Sequence, residues 1–207
     1  MSDDELTSAH SPAEMSDDVV GTGAHSPAEM SDDVVGASAQ FPVGVFADVL
    51  SANEVYARSF RDSGLSGVAA RGLALVTCMD SRIEPLAILG MSAGDVKILR
   101  NAGARVTDDV LRTLVLATYL LGVTRVLVMP HTHCKMASAE EPEIHAIIEE
   151  RFGVDTRSME FRTSSDQIAT LGVDVQRLRS HPLLPAGVTV AGAMYDVHTG
   201  NLTPQNL

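Results

Sequence analysis

The sequence predicts an α/β domain with a mostly parallel central β-sheet flanked by helices. Three short apolar runs rich in β-branched residues, at positions 73–77, 96–99 and 125–129, are separated by segments with helical spacing of apolar residues. Strands that alternate with helices in this way form parallel sheets with right-handed crossovers. We expect residues 41–207 to form this domain, and residues 1–40 to be a disordered acidic tail.

The first part of the domain alternates helix and strand. Apolar residues at loosely helical spacing predict an outer helix over residues 45–61. The run at 73–77 has the length of a strand and ends at Cys78. Pro85 suits the first turn of the next helix, because the N–H that proline lacks would have no helical partner there, and Gly90 ends that helix.

The later elements follow from similar signals. The second strand leads into a polar loop at residues 101–103. Thr107 can cap a helix that runs to about Leu121, because its hydroxyl can accept a bond from a free amide at the helix start. The remaining predicted elements are a strand over 125–129, helices over 143–152 and 165–179, a strand over 188–195 and a turn at 198–201.

The acidic tail is repetitive and lacks aromatic residues. Residues 9–21 recur unchanged as residues 24–36, and residues 1–40 contain nine acidic side chains without a Lys or Arg. Such a segment buries too little apolar surface to offset the entropy of ordering it. The tail therefore carries most of the formal net charge of −12.

The charge distribution excludes some partners. The rest of the chain is close to neutral and has no basic stripe to neutralise phosphates, so neither nucleic acid nor an anionic membrane surface is an expected partner. No segment is long and apolar enough to span a bilayer, and the N-terminus has no signal-peptide pattern. We therefore expect a cytoplasmic protein, in which thiols stay reduced.

The chain has two cysteines, and each lies in a polar cluster directly after an apolar run. Cys78 begins the segment Cys-Met-Asp-Ser-Arg, and Cys134 ends the segment His-Thr-His-Cys. Two thiolates and one imidazole suit Zn²⁺ and leave one coordination position free, which is typical of a catalytic site. Asp80 and Arg82 are spaced to pair with each other beside the first cysteine.

These residues carry a resemblance to a known family. The pattern Cys78-x-Asp80-x-Arg82 followed by His131-x-x-Cys134, with Arg-Asn-Ala-Gly-Ala at 100–104 between them, resembles the β-class carbonic anhydrases from about residue 41 to the end of the chain. The resemblance implies that strands one and three are neighbours, so that the two clusters meet, and that Cys78, His131 and Cys134 bind zinc. It also implies reversible hydration of carbon dioxide to bicarbonate in a homodimer or larger homo-oligomer, in which an N-terminal helix lies across the partner subunit.

The resemblance also implies roles for the aspartate and the arginine. Asp80 would accept a hydrogen bond from the water that attacks CO2, and Arg82 would hold that carboxylate in place. If Arg82 released it, Asp80 could become a fourth zinc ligand and close the site. The loop at 101–103 could supply backbone amides to the site, or it could serve only as a tight turn.

Two residues depart from the family pattern. The family usually has an acidic or compact residue where this chain has His133, and glycine where it has Lys135. His133 could move protons, compete with His131 as a ligand, or face solvent. Lys135 could point to solvent, attract bicarbonate, or strain a backbone that prefers glycine and so loosen Cys134.

The same residues are also compatible with other functions. The same scaffold serves hydrolases of carbonyl sulfide and carbon disulfide, which are linear molecules like CO2, and a zinc-binding but catalytically silent homologue would share these residues. A redox pair formed by Cys78 and Cys134 is a further alternative. That reading leaves Asp80, Arg82 and His131 without a role.

Overall fold

The computed structural model describes residues 40–207 and divides this part of the chain after Ala57. The predicted tail thus lies almost wholly outside the described residues. The first part contains all but the last two residues of helix α1 (Ala47–Ser59), which buries none of its residues. Val49 and Val55, on this helix, are 58% and 61% exposed. The apolar residues that predicted this helix are therefore exposed and not part of a hydrophobic core.

The larger unit, residues 58–207, is built on a five-stranded sheet with the order β2-β1-β3-β4-β5. Its strands are β1 (Leu73–Cys78), β2 (Val96–Asn101), β3 (Arg125–Met129), β4 (Thr189–Tyr195) and β5 (Leu202–Gln205). The first four strands run parallel and β5 pairs antiparallel with β4. This arrangement confirms the predicted mostly parallel sheet. Strand β5 was not predicted; it is a short edge strand that contains Pro204, a residue tolerated in sheets mainly at edges.

Four helices complete the unit. They are α2 (Pro85–Leu89), α3 (Asp108–Leu120), α4 (Glu141–Phe152) and α5 (Gln167–Arg179). The predicted cap of α3 is present, because the Thr107 side chain accepts a hydrogen bond from the amide of Val110. Gly90 ends α2 in the left-handed conformation, with φ of 60°, as its predicted role requires. The chemistry of the helix ends thus matches the sequence signals.

The sheet positions the site because β1, which lies between β2 and β3, is buried on both faces. Every residue of β1 is buried, as expected of a parallel strand covered by helices on both sides. Thr77 near its end lies opposite Met129 of β3 and donates a buried hydrogen bond to the Met129 carbonyl, at 2.8 Å. The carboxyl ends of β1 and β3 are therefore held side by side. No helix within residues 40–207 combines the length and apolarity that a membrane crossing requires.

Candidate metal centre

The two cysteine clusters meet at the carboxyl edge of the sheet. Cys78 is the last residue of β1, and His131 follows the end of the neighbouring strand β3. His131 also forms a single bridge with Tyr195 at the end of β4. Adjacent parallel strands thus bring together residues that are more than 50 positions apart in sequence.

The three side chains form a compact group of possible metal ligands. Cys78, His131 and Cys134 are all buried, and their ligand atoms lie within 4.8 Å of one another. The sulfur atoms of the two free cysteines are 3.9 Å apart. Two sulfurs that each lie about 2.3 Å from a tetrahedral zinc ion would be roughly 3.8 Å apart. The spacing of the sulfurs therefore fits a shared ion.

The imidazole of His131 is oriented toward the sulfurs. Its Nδ1 is 2.9 Å from the carbonyl of Thr132, so Nδ1 carries the proton and Nε2 keeps its lone pair. The Nε2 atom is buried without a hydrogen-bond partner among the described residues. A buried polar atom left unsatisfied is destabilising by about 1–3 kcal/mol. A metal ion between Nε2 and the two sulfurs would be the missing partner.

The two thiols influence each other's ionisation. A hydrogen bond from Cys134 lowers the pKa of Cys78, and the same interaction raises the pKa of Cys134. Burial opposes protonation of His131, but the negative charge of the neighbouring Cys78 sulfur helps to raise the pKa of the imidazole above its usual value. One thiolate is thus already favoured without a metal. A cation is what would allow both sulfurs to ionise.

Asp80 and Arg82 form a forked ion pair beside this group. The Nε and Nη2 atoms of Arg82 donate to Oδ1 and Oδ2 of Asp80, at 2.9 and 2.7 Å. These hydrogen bonds hold the pKa of Asp80 well below its usual range. Arg82 also donates to the carbonyl of His133 at 3.1 Å, and Oδ2 of Asp80 is 3.7 Å from Nε2 of His131. The carboxylate is therefore ionised, fixed and close to the ligand nitrogen of His131.

The end of β2 and the loop that follows it both support Cys78. The guanidinium of Arg100 donates to the carbonyls of Cys78 and Asp80, at 2.9 and 2.6 Å. Backbone hydrogen bonding from Gly103 helps to lower the pKa of Cys78. Gly103 has φ of 78°, and a Cβ atom there would lie 3.2 Å from Cβ of Met136. The loop is thus the tight turn that the sequence allowed, and its backbone also faces the sulfur.

The two departures from the family pattern have different outcomes. Lys135 is exposed and is not among the three described non-glycine residues with positive φ, so it does not use a conformation that requires glycine. His133 does, with φ of 54°. It is exposed and packs edge-on against His198, with ring centroids 4.5 Å apart, while His131 is the histidine in the ligand group. The left-handed backbone is therefore at the residue before Cys134, and not at Lys135, the residue after it, where strain was predicted as one possibility.

Three contacts that support the ligands were not predicted from the sequence. Arg100, a member of the family motif, donates to the carbonyls of β1 and of the following loop. The carbonyl of Thr132 orients the His131 ring, and the side-chain amide of Gln167 donates to the His131 carbonyl at 3.0 Å. Each of these contacts joins a side chain to a main-chain carbonyl. Since every residue has a carbonyl, the spacing of residue types in the sequence does not predict them.

An open, mostly parallel sheet with a buried Cys–His–Cys group at its carboxyl edge defines an α/β protein with a metal-binding group. The family model for carbonic anhydrases matches residues 73–202. The chain is also 31% identical over 153 residues to beta-carbonic anhydrase 1 of Mycobacterium tuberculosis, which covers 73% of this chain and 92% of that protein. The chain therefore belongs to the β-carbonic anhydrase family, a family of metal-dependent lyases.

A solved structure supports the family assignment, and another relative is a hydrolase of a different substrate. A carbonic anhydrase from Streptococcus mutans superimposes with a TM-score of 0.74 at 35% identity, over 78% of this chain and 97% of that one. The chain is also 32% identical over 161 residues to a carbon disulfide hydrolase from Acidianus, over 66% of this chain and 78% of that protein. Relatives at similar identity thus carry the names of two different activities.

Proposed function

We propose that this protein catalyses the reversible hydration of carbon dioxide to bicarbonate and a proton, with Zn²⁺ held by Cys78, His131 and Cys134. The observation that carries the proposal is the unpartnered, buried Nε2 of His131, which faces two sulfurs at the spacing that tetrahedral zinc requires. Calcium and magnesium prefer oxygen ligands, so this set of donors favours zinc.

Zinc would supply Lewis acidity and would lower the pKa of a water molecule bound to it. Two thiolates and a neutral imidazole cancel the charge of the ion, so this site depends on its surroundings more than a site with three histidines would. The Asp80 carboxylate lies 3.7 Å from Nε2 of His131. Asp80 is therefore the residue best placed to control the attacking water.

Asp80 would accept a hydrogen bond from that water and orient its lone pair toward CO2. The forked pair with Arg82 keeps both carboxylate oxygens ionised and in fixed positions. CO2 is small and apolar and provides little binding energy, so the rate must come from a correctly placed nucleophile. If Arg82 lets go, Asp80 is close enough to the ligand group to become a fourth ligand and close the site.

The proposed assembly is a homodimer or larger homo-oligomer. Segment 40–57 exposes a series of large apolar side chains: Phe41, Val43, Val45, Phe46, Val49, Leu50, Val55 and Tyr56. Exposed apolar surface on this scale is typical of an interaction site. Covering by a second copy agrees with the partner-spanning helix that the family resemblance implies. Light scattering should give at least twice the mass of one chain, and a monomer at micromolar concentration would contradict the assembly.

The test of the function combines metal analysis with kinetics. Purified protein should contain about one zinc per chain and hydrate CO2 rapidly in a stopped-flow pH-indicator assay. Cys78→Ser should lose most of the zinc and the activity while circular dichroism shows that the fold remains. Rapid hydration by zinc-free protein, or zinc-loaded protein without hydration, would contradict the proposal.

The second candidate is hydrolysis of carbon disulfide or carbonyl sulfide on the same site. It is favoured by the identity of about a third to the Acidianus carbon disulfide hydrolase. The same zinc-loaded sample should be assayed on CO2, carbonyl sulfide and carbon disulfide in parallel. Turnover of a sulfur substrate with slow CO2 hydration would replace the first candidate by the second, and no turnover of any of them would favour a silent zinc protein.

A further inference from the structure

Helix α5 is bonded to both loops that support the metal centre. At its first residue, the side-chain amide of Gln167 donates to the carbonyl of His131, at 3.0 Å. Two turns later, the buried Asp174 accepts from Nε of Arg105, at 2.7 Å. Arg105 in turn exchanges two hydrogen bonds with Asn101 at the end of β2. One rigid element thus reaches the loops on both sides of the ligand group.

Gln167 acts on a peptide plane that is held at two points. The carbonyl of His131 and the N–H of Thr132 belong to the same peptide group. The carbonyl accepts from Gln167, and the N–H donates to the carbonyl of Tyr195 at 2.9 Å. A planar peptide fixed at both of its polar groups cannot rotate. The next carbonyl, that of Thr132, is the one that orients the His131 ring.

The position of Gln167 is itself well defined. Asp166 caps α5 by accepting from the amides of Ile168 and Ala169, which fixes the backbone at the helix start. The side chain lines a cavity of about 10 Å³ whose walls also include Cys134 and Asp174. A cavity of this size holds about one water molecule. The amide therefore has little freedom to leave the His131 carbonyl.

We propose that Gln167 is a positioning residue that holds the His131 imidazole in the orientation needed to retain the metal. The proposal rests on the proposed zinc site and adds a residue to it from a helix 36 positions further along the chain. The side-chain amide of Gln167 donates to the His131 carbonyl and not to a ligand atom, so it acts through the peptide group after His131. Loss of its side-chain amide should therefore increase the rate of metal release while leaving the stability of the metal-free protein unchanged.

The test substitutes Gln167 without creating space. Gln167→Ala would leave room for a water that could donate the same hydrogen bond, so Gln167→Met, which has similar length and no donor, is the better variant. Gln176→Met is the matched control, because Gln176 lies on the exposed side of the same helix. Gln167→Glu is a second variant, since an acidic residue is favourable at a helix start and supports folding while it removes the donor.

The measurement is the rate of zinc release from the loaded protein to a colorimetric chelator. Loss of a supporting contact behind a metal ligand weakens metal binding by about 10–100-fold. We expect release roughly tenfold faster in Gln167→Met and Gln167→Glu than in wild type and Gln176→Met, with a changed visible spectrum of the cobalt-substituted protein. The melting temperature of the metal-free protein should match that of the control.

Three outcomes bear on the proposal in different ways. Equal release rates and equal cobalt spectra in Gln167→Met and Gln176→Met would overturn the role of Gln167 and leave the proposed function intact. Wild-type protein that binds zinc but does not hydrate CO2 would overturn the proposed function, while faster release in Gln167→Met would still support the positioning role. Wild-type protein that binds no zinc would overturn both.

Discussion

The chain contains the same local arrangement of an aspartate and an arginine at two places, and only one of them lies at the metal centre. In both Asp80-Ser81-Arg82 and Asp155-Thr156-Arg157, the arginine backbone amide donates to Oδ1 of the aspartate at 3.0 Å. In both, Nε donates to the same oxygen, at 2.9 and 2.8 Å, and Nη2 donates to Oδ2 at 2.7 Å. The Asp-x-Arg pair is therefore a product of local geometry that needs no active site.

The surroundings distinguish the two pairs. The Asp80 side chain is 19% exposed and lies 3.7 Å from Nε2 of His131, whereas the Asp155 side chain is 56% exposed. Arg82 also donates to the carbonyl of His133, while the further ionic contact of Arg157 is Glu149, 3.8 Å away on the surface. A two-residue motif thus predicts a hydrogen-bond pattern, whereas its chemistry depends on the residues that the fold places beside it.

Removal of each carboxylate gives the largest expected difference between the pairs. Asp80→Asn should lower kcat/KM for CO2 hydration by about 10–100-fold, because the water loses its fixed acceptor next to the metal. Asp155→Asn makes the same chemical change in the same local geometry and should leave the rate unchanged. Stopped-flow assays of both variants, with zinc content measured, check this prediction. Equal losses in the two variants would show that the location beside the Cys–His–Cys group is irrelevant.

Replacement of each arginine by lysine should have a smaller effect of the same kind. Lysine keeps the charge but cannot form the fork that fixes both carboxylate oxygens. We expect Arg82→Lys to lower activity by roughly tenfold, at the lower end of the effects seen when contacts around a metal centre are lost. Arg157→Lys should be neutral.

X-ray absorption at the zinc edge tests the cause of that loss. In a fraction of the Arg82→Lys molecules, the Asp80 carboxylate should bind the metal directly. It would add an oxygen ligand that does not exchange with water. An unchanged zinc environment together with unchanged activity would mean that Arg82 does not restrain Asp80.

The same contrast between local and distant effects explains what could be predicted from the sequence. The strands ending at Cys78 and Met129, the Thr107 cap and the Gly90 stop depend on periodicity and on helix-end chemistry, which are local, and the structure confirms them. That β1 and β3 are neighbours came from the family resemblance, because sequence patterns do not determine strand order. The edge strand β5 was missed since four residues that include a proline give no strand signal.

The contacts that hold the ligands were the least predictable part of the site. Gln167 and Arg100 act on main-chain carbonyls, and a carbonyl is present at every residue, so neither side chain has a recognisable partner in the sequence. The left-handed conformation of His133 was equally hidden, since His131, Thr132 and Cys134 give no sign of it. Lys135 departs from the family pattern, yet its side chain is exposed at the surface.

The acid sensitivity of the surface pair gives the smallest expected effect. The hydrogen bonds from Arg157 hold the pKa of Asp155 well below its usual range. A carboxyl whose pKa is lower in the folded than in the unfolded state contributes stability above the unfolded value, near 3.9, and that stability is lost as the pH falls below it. Asp155→Asn removes this titration, so the free energy of unfolding should fall less steeply in the variant than in wild type as the pH is lowered from about 5 to 3.

Urea unfolding of both proteins at several pH values measures this difference. Acid would release metal from wild type and variant equally, so the difference between their unfolding free energies reports the contribution of Asp155 alone. Because both side chains of the pair are more than half exposed, salt should screen it, and the two slopes should converge as ionic strength rises. Identical slopes at low salt would mean that the geometry shared with Asp80 and Arg82 contributes nothing measurable outside the metal centre. Hydrogen bonds of the same length would then matter only where the fold buries one side of the pair.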